Sequence, residues 1–263
     1  MALTEPGARA TDNHRRKQVA IATSADSEIR RAWRILDVDD IDGTRRAWER
    51  QMSGIIAKYH QVSQVQAAQY LSQYRLAELG TTAGPVNRVA LDLATDMAVL
   101  DANGPQAFKK RIGQGQTPFQ AQHAAQGLVM AQTRKMILAG GRGLIRESGR
   151  ADSRAIGWRR KSDGDPCTFC GMLVSRGPAY TSEAKALAKG NEDPYHPNCG
   201  CTVEIVYGDW MPTEEEQKYV DSYFDAAEEA DKIHGRRTAD TVLHRMRDNG
   251  SFRDSPARRA RGK

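Results

Sequence analysis

The chain has few aromatic side chains, no long apolar run, and no cysteine outside one short stretch. Aromatics make up 6% of its 263 residues and the mean hydropathy is −0.66, which points to long polar-faced helices around a thin core. No apolar run reaches the length of a bilayer crossing, so a soluble protein without membrane contact is expected. The opening residues, MALTEPGARATDNHRRKQ, contain no apolar signal core, and nothing marks the chain for secretion. Gly140-Gly141 and Gly143 lack the lysine and hydroxyl residue of a phosphate-binding loop, which leaves a hinge or a helix end as their reading.

Against that background one cluster stands out. Cys167, Cys170, His196, Cys199 and Cys201 are written C-T-F-C, then H-P-N-C-G-C, and they include all 4 cysteines. A C-x-x-C beside an H-x-x-C-x-C has the spacing of a thiolate/imidazole zinc site, with two ligands from one tight turn and the rest from another. Disulfides and plain buried thiols are the alternatives. A tetrahedral site takes four ligands; Cys167, Cys170 and His196 are the firmer ones, and Cys199 and Cys201 compete for the fourth place. The nearest carboxylates, Asp163, Asp165, Asp193 and Glu204, fall in no catalytic spacing. A structural zinc ion is therefore expected, with no catalytic residue assigned. The P-C-x-x-C of Pro166–Cys170 would also suit a zinc deaminase, but the upstream H-x-E that chemistry requires is absent.

Helical periodicity dominates the first half. Apolar residues recur at Val19, Ala22, Ile29, Ala32, Trp33 and Leu36. A second helix carries Trp48, Met52, Ile55, Tyr59 and Val62 at spacings of four and three, continued by Gln66, Gln69 and Gln73. Its far end either leaves the core or packs through Tyr70, Leu71 and Tyr74. Val86 to Leu100 reads as a third helix, Gln106–Ile112 as a short one. A fourth opens at the Thr117-Pro118-Phe119-Gln120 capping box and should stop near Ala139. After Gly149 the pattern becomes strand-like at Ala155–Lys161 and Thr202–Tyr207. A second capping box, Thr213 to Glu216, starts an acidic helix whose Tyr219, Val220, Tyr223, Phe224 and Ala227 form one apolar face. Residues 236–263 hold nine Lys/Arg against three Asp/Glu, a local +6, beside a local −6 over 213–235. Such a tail suits contact with DNA or an acidic protein surface.

The fold class expected is α+β: a mainly helical N-terminal region, a small metal-clipped α+β module and a disordered basic tail. The boundaries are 1–13 disordered, 14–149 helical, 150–235 Cys/His module with its acidic helix, and 236–263 tail.

The run Cys167-Thr168-Phe169-Cys170-Gly171-Met172-Leu173, then Ser175-Arg176-Gly177-Pro178 and Tyr180, then His196-Pro197-Asn198-Cys199-Gly200-Cys201, resembles the phage Mu F-like minor capsid family. The likeness covers about residues 154–207 and is nearest to versions from phages of actinobacteria, often labelled capsid maturation proteases. It implies a head-morphogenesis protein, associated with the portal protein and with the major capsid or scaffolding protein. It also implies packaging in the interior of the virion head after assembly in the host cytoplasm. The docking region would be 14–149, and the basic tail would touch phage DNA or scaffold. The family's Cys/His motif maps onto Cys167, Cys170, His196, Cys199 and Cys201.

Two rival functions are carried beside this one. A capsid maturation protease would need a nucleophile and a base, with Ser175 or a cysteine paired to His196, or a helical Ser or Thr paired to His60 or His123. A zinc-ribbon nucleic-acid module would use Arg159, Arg160 and Lys161, with the tail Arg258-Arg259-Ala260-Arg261-Gly262-Lys263, on phosphates.

Overall fold

The computed structural model describes residues 4–178, 195–256 and 258. Two long helices organise it: α2 (Ile41–Leu79) and α5 (Pro118–Ala151). α1 (Glu5–Trp33) lies along α2, and the short α3 (Leu93–Asn103) and α4 (Pro105–Gly113) cover one end of α5. The other end of the α2/α5 pair carries β1 (Gly157–Lys161), α6 (Thr168–Ser175), β2 (Thr202–Val206), α7 (Glu214–His234) and α8 (Ala239–Asn249). The mainly helical α+β class stands.

α2 and α5 run through two separate cores. The upper core is apolar and built almost wholly from helices, with Ile29, Trp33, Trp48, Met52, Ile56, Leu100, Phe108, Val129 and Ile137 at its centre. The lower core joins Ala67, Tyr70, Leu71, Tyr74, Leu144 and Ile145 to the strands, the cysteines and α6 to α8. The expected seam of α2 is therefore buried only through Ile55. Val62 is 43% exposed, and the helix turns its Tyr70, Leu71 and Tyr74 face inward instead. Residues 14–149 thus supply part of the Cys/His module's core.

Between the cores the helices touch through polar side chains. Ser63 Oγ donates to Gln18 Oε1 at 2.6 Å and accepts from the Gly141 amide at 2.9 Å. A Cβ on Gly140 would lie 2.6 Å from the His60 carbonyl oxygen, and one on Gly141 would lie 2.7 Å from Gln18. The glycines that read as a hinge or helix end do neither: α5 continues to Ala151, and they let α2 and α5 cross at close range.

Three further expectations change. Residues 5–13 are helical rather than disordered. Thr4 caps α1, and its backbone N–H and hydroxyl both donate to Glu78 at the far end of α2, at 3.0 and 2.7 Å. The segment before α3 is an extended strap: Val89 N–H donates to Gln64 Oε1 and its carbonyl accepts from Gln64 Nε2, at 2.9 and 3.1 Å. These bonds replace a helical turn, and Asp92 then caps α3. The tail is structured over its described residues, 236–256. α8 buries Val242 and Met246, and Asp254 accepts from the Thr168 amide at 2.7 Å. Tail arginines Arg237, Arg245, Arg247 and Arg258 pair with Asp231, Glu229, Asp254 and Asp165. Residues 257 and 259–263 lie outside the described residues.

β1 and β2 are antiparallel, with Arg159 opposite Glu204 and Arg160 opposite Val203. Arg159 spans Glu204 and Glu216, each at 2.7 Å, and Lys161 reaches Glu216 at 2.8 Å. Glu216 is also the last residue of the Thr213 capping box, so this buried cluster sets where α7 begins. α7 packs through Ala226, Ala227 and Ala230, with Tyr219 and Tyr223 beside them; Phe224, expected on that face, is 61% exposed.

Candidate metal centre

Cys167 and Cys170 are brought together by the first turn of α6. Cys167 is its N-cap, with φ −71° and ψ 165°, and its Sγ accepts from the Cys170 amide at 3.4 Å. A helix start is a natural holder for a C-x-x-C pair, because its free amides favour negative sulfur. His196 to Cys199 form a second tight turn. The Cys199 amide donates to the His196 carbonyl at 3.2 Å, Pro197 takes the second position, and Asn198 takes the third with φ 62°. Those are the features of a type II turn, where a left-handed third residue is required and Asn tolerates it. Cys201 follows at the start of β2.

The two turns face each other. His196 Nε2 lies 3.0 Å from Cys167 Sγ and 3.5 Å from Cys170 Sγ, and Cys170 Sγ lies 3.5 Å from Cys199 Sγ. Cys167, Cys170 and His196 form one group of potential ligands; Cys170, Cys199 and Cys201 form another, each within 4.8 Å. The groups share Cys170, which stands at the middle of the cluster. Zinc bond lengths place tetrahedral ligand atoms about 3.6–3.8 Å apart, close to the two longer pairs and roughly half an ångström wider than the Cys167–His196 pair. The cluster can hold a metal ion. All 4 cysteines are free thiols.

The imidazole is oriented for ligation. His196 Nδ1 sits 2.7 Å from the Pro197 carbonyl oxygen, which can only accept, so the ring proton belongs on Nδ1 and Nε2 faces the sulfurs. Without a metal the groups polarise one another. Hydrogen bonding to Cys170 and then to His196, against burial, pushes the Cys167 thiol down to about 4. Contact with Cys167 and Cys199 pushes His196 up to about 10. Cys170 is driven up by its hydrogen bonds to Cys167, Cys199 and Cys201, and by burial. One thiol among several crowded sulfurs must keep its proton until a cation replaces it.

No carboxylate joins either ligand group among the described residues. Glu204 is held by Arg159, and Asp165 pairs with Arg258. Asp163 accepts from the Asp165 amide at 3.2 Å, and its side chain would meet a Cβ placed on Gly200. Asp193, with Tyr180 of the motif, lies outside the described residues.

The catalytic pairings are not assembled around the other histidines. His60 is buried against α5, where Gln64 Nε2 donates to its Nδ1 at 3.2 Å; Val89 fixes that amide's orientation from both sides. His123 stacks on exposed Phe119. Ser175 Oγ donates to the Met172 carbonyl at 2.8 Å at the end of α6.

The basic residues of β1 do not serve a phosphate surface. Arg159 and Arg160 are buried, at 1% and 4% exposure, and Lys161 is tied to Glu216. Arg160 Nη1 points instead at Cys170 Sγ, 3.4 Å away, and at Cys199 Sγ, 3.8 Å away. Arg142 reaches the same cluster from α5, donating to the carbonyls of Cys199 (2.5 Å) and Cys201 (2.8 Å). Motif spacing alone carried no sign of either arginine's role. The run Gly140-Gly141-Arg142-Gly143 held the signal, since small residues beside a lone arginine mark a close crossing that the arginine can reach through.

The profile of one protein family, described as VG15 protein, matches residues 5–230, from the first turn of α1 into α7. The chain belongs to the VG15 protein family. This is a family of phage virion-gene proteins, and membership makes the chain a phage virion-associated protein. The match takes in the upper core, most of the lower core and the whole Cys/His cluster. Neither a curated protein nor a solved structure matches the chain. No helix among the described residues is long and apolar enough to cross a membrane.

Proposed function

We propose that this protein is a minor capsid, head-morphogenesis protein of the Mu F-like type, bound to the portal during head assembly and packaged inside the virion. The observation that carries this reading is the Cys167/Cys170/His196/Cys199/Cys201 cluster within a chain of a phage virion family. The site is read as structural, holding one zinc ion through four of the five side chains. Three of them bind from α6 and the His196 turn, and Cys199 or Cys201 completes the set. A metal there would crosslink α6, the His196 turn and the start of β2, and so supply folding energy to a small module.

Head contact falls to the helical part. Val62, Val65 and Leu76 are exposed along one side of α2, and with Gln69 and Ser72 they continue a spacing of three and four. A stripe of that spacing on a long helix suits pairing with another helix. Val62→Asp with Leu76→Asp should abolish capture by portal protein while leaving the metal content unchanged. Capture by a variant lacking only the α2 stripe would refute the docking surface. Mass spectrometry of purified virions tests the reading as a whole: the chain should be present at low copy number. Loss of capsid-protein processing in a His60→Ala or His123→Ala variant that folds and is packaged would replace it with the protease reading.

A further inference from the structure

A cluster of several thiolates around a divalent cation carries net negative charge, and here it lies in a buried core. Such a charge needs a partner. Two buried guanidinium groups supply it, and one phenol ring holds both. Arg160 and Arg142 each place their guanidinium carbon 3.8 Å from the centre of the Tyr195 ring. Two groups cannot occupy the same face at that distance, so the ring is sandwiched between them. Tyr195 immediately precedes His196, the imidazole ligand candidate, and all three side chains are at most 6% exposed.

The two arginines act on different parts of the cluster. Arg160, from β1, directs Nη1 at the sulfurs of Cys170 and Cys199. Arg142, from α5, holds the backbone carbonyls of Cys199 and Cys201. Two like charges on one ring would repel strongly unless anionic charge stood beside them. Arg160 stands against the sulfurs of Cys170 and Cys199, and Arg142 against the carbonyls of the cysteines that follow His196.

We infer that the Arg160–Tyr195–Arg142 sandwich is the charge-compensating and positioning device of the metal centre. Arg160 neutralises and shields the thiolates of Cys170 and Cys199, and Arg142 locks the Cys199–Cys201 backbone onto α5. The inference rests on the metal reading above. N–H···S bonds of this kind withdraw charge from sulfur, which slows attack on it by electrophiles and raises the fraction of anionic ligand available to the cation. Losing a partner that orients or polarises a metal ligand typically costs about 10–100-fold in affinity.

The test uses the full chain, loaded with zinc and titrated with a chromophoric chelator. Arg160→Gln should weaken zinc binding about 10–100-fold and speed zinc release by a methylating or alkylating thiol reagent by about tenfold. Arg160→Lys, which keeps the charge without the fork, should fall between the two. Cobalt loading adds a folding-independent readout, because the thiolate-to-cobalt charge-transfer band should move in Arg160→Lys relative to wild type. Arg160→Gln with wild-type affinity and release rate would overturn the inference while leaving the metal site intact. If Arg160→Gln does not fold, an unshifted cobalt band and unchanged release rate in Arg160→Lys would overturn it equally. A wild-type chain that takes up no zinc would instead refute the metal reading itself.

Discussion

The two cores of this protein share α2 and α5 yet are built by different rules. The upper core is assembled from helical stripes of Trp, Met, Ile and Leu, and its elements are near neighbours in the chain apart from α5. The lower core is held by groups that are costly to bury: Arg75 with Asp152 at 3.2 Å, Arg159 with Glu204 and Glu216, and a knot of thiols. Buried ion pairs are weak sources of stability, because desolvation offsets much of their attraction, but they penalise every arrangement that leaves one partner alone. The lower core is thus specified by pairing and the upper one by burial, and the energy that pairing does not supply is what a metal would add. Within the lower core Tyr74 and Arg75 tie α2 to β2 and the residue that follows it: Tyr74 Oη donates to the Ile205 carbonyl at 2.7 Å, and Arg75 donates to Tyr207 Oη at 3.2 Å.

The largest contrast should appear on removing the shared ligand. Cys170→Ser, or chelation of the wild type, should lower the melting temperature of the lower core by more than about 10 °C and leave the upper core melting separately. Differential scanning calorimetry with and without chelator reads this. A single transition at the wild-type temperature in both cases would erase the distinction.

Acid should separate the halves next. Glu216 is held down at about 2, against its burial, by Arg159 and Lys161. A carboxyl lowered by folding contributes stability that is complete above its unfolded value near 4.5 and is lost as pH falls toward 2. That contribution is at most on the order of 3 kcal/mol. Asp152, lowered to about 2 chiefly by its hydrogen bond to Arg154, acts in the same direction. Glu216→Gln should start less stable at neutral pH and show a flatter decline between pH 4.5 and 2 in urea titrations. A decline parallel to wild type would show that the lower core does not depend on this pair.

Glycines on a single helix give the finest comparison. Gly140→Ala drives a Cβ to 2.6 Å from the His60 carbonyl, a backbone atom that cannot step aside, and should cost about 1–3 kcal/mol. Gly127→Ala, on the same helix, meets nothing within 4 Å and should stabilise by about 0.5–1 kcal/mol. The same denaturation curves measure both. Equal signs would mean that the α2–α5 crossing is looser than its geometry.

Local signals in the sequence determined a good deal. The Thr117 and Thr213 capping boxes both close with the reciprocal bonds that their spacing implies, and the two strands lie where alternation placed them. The five Cys/His positions converge, because a C-x-x-C at a helix start and an H-P-N-C turn are short-range geometries written in adjacent residues. Other features depended on what lay across the fold. Thr4 and Glu78 turned a disordered-looking N-terminus into helix, and Gln64 held Val86–Asp92 out of one. Gly140 and Gly141 looked like a break because propensity counts only their own flexibility, and the cost was met by contact with His60 and Ser63. Arg159 and Arg160 looked like a phosphate surface because charge in a sequence has no direction. Only the strand register and the closeness of Glu204, Glu216 and the thiols decided that they face inward. The residues set by themselves which chemistry was present. The tertiary structure decided which charge met which partner, because pairing energies depend on distance and burial, and neither can be read along a chain.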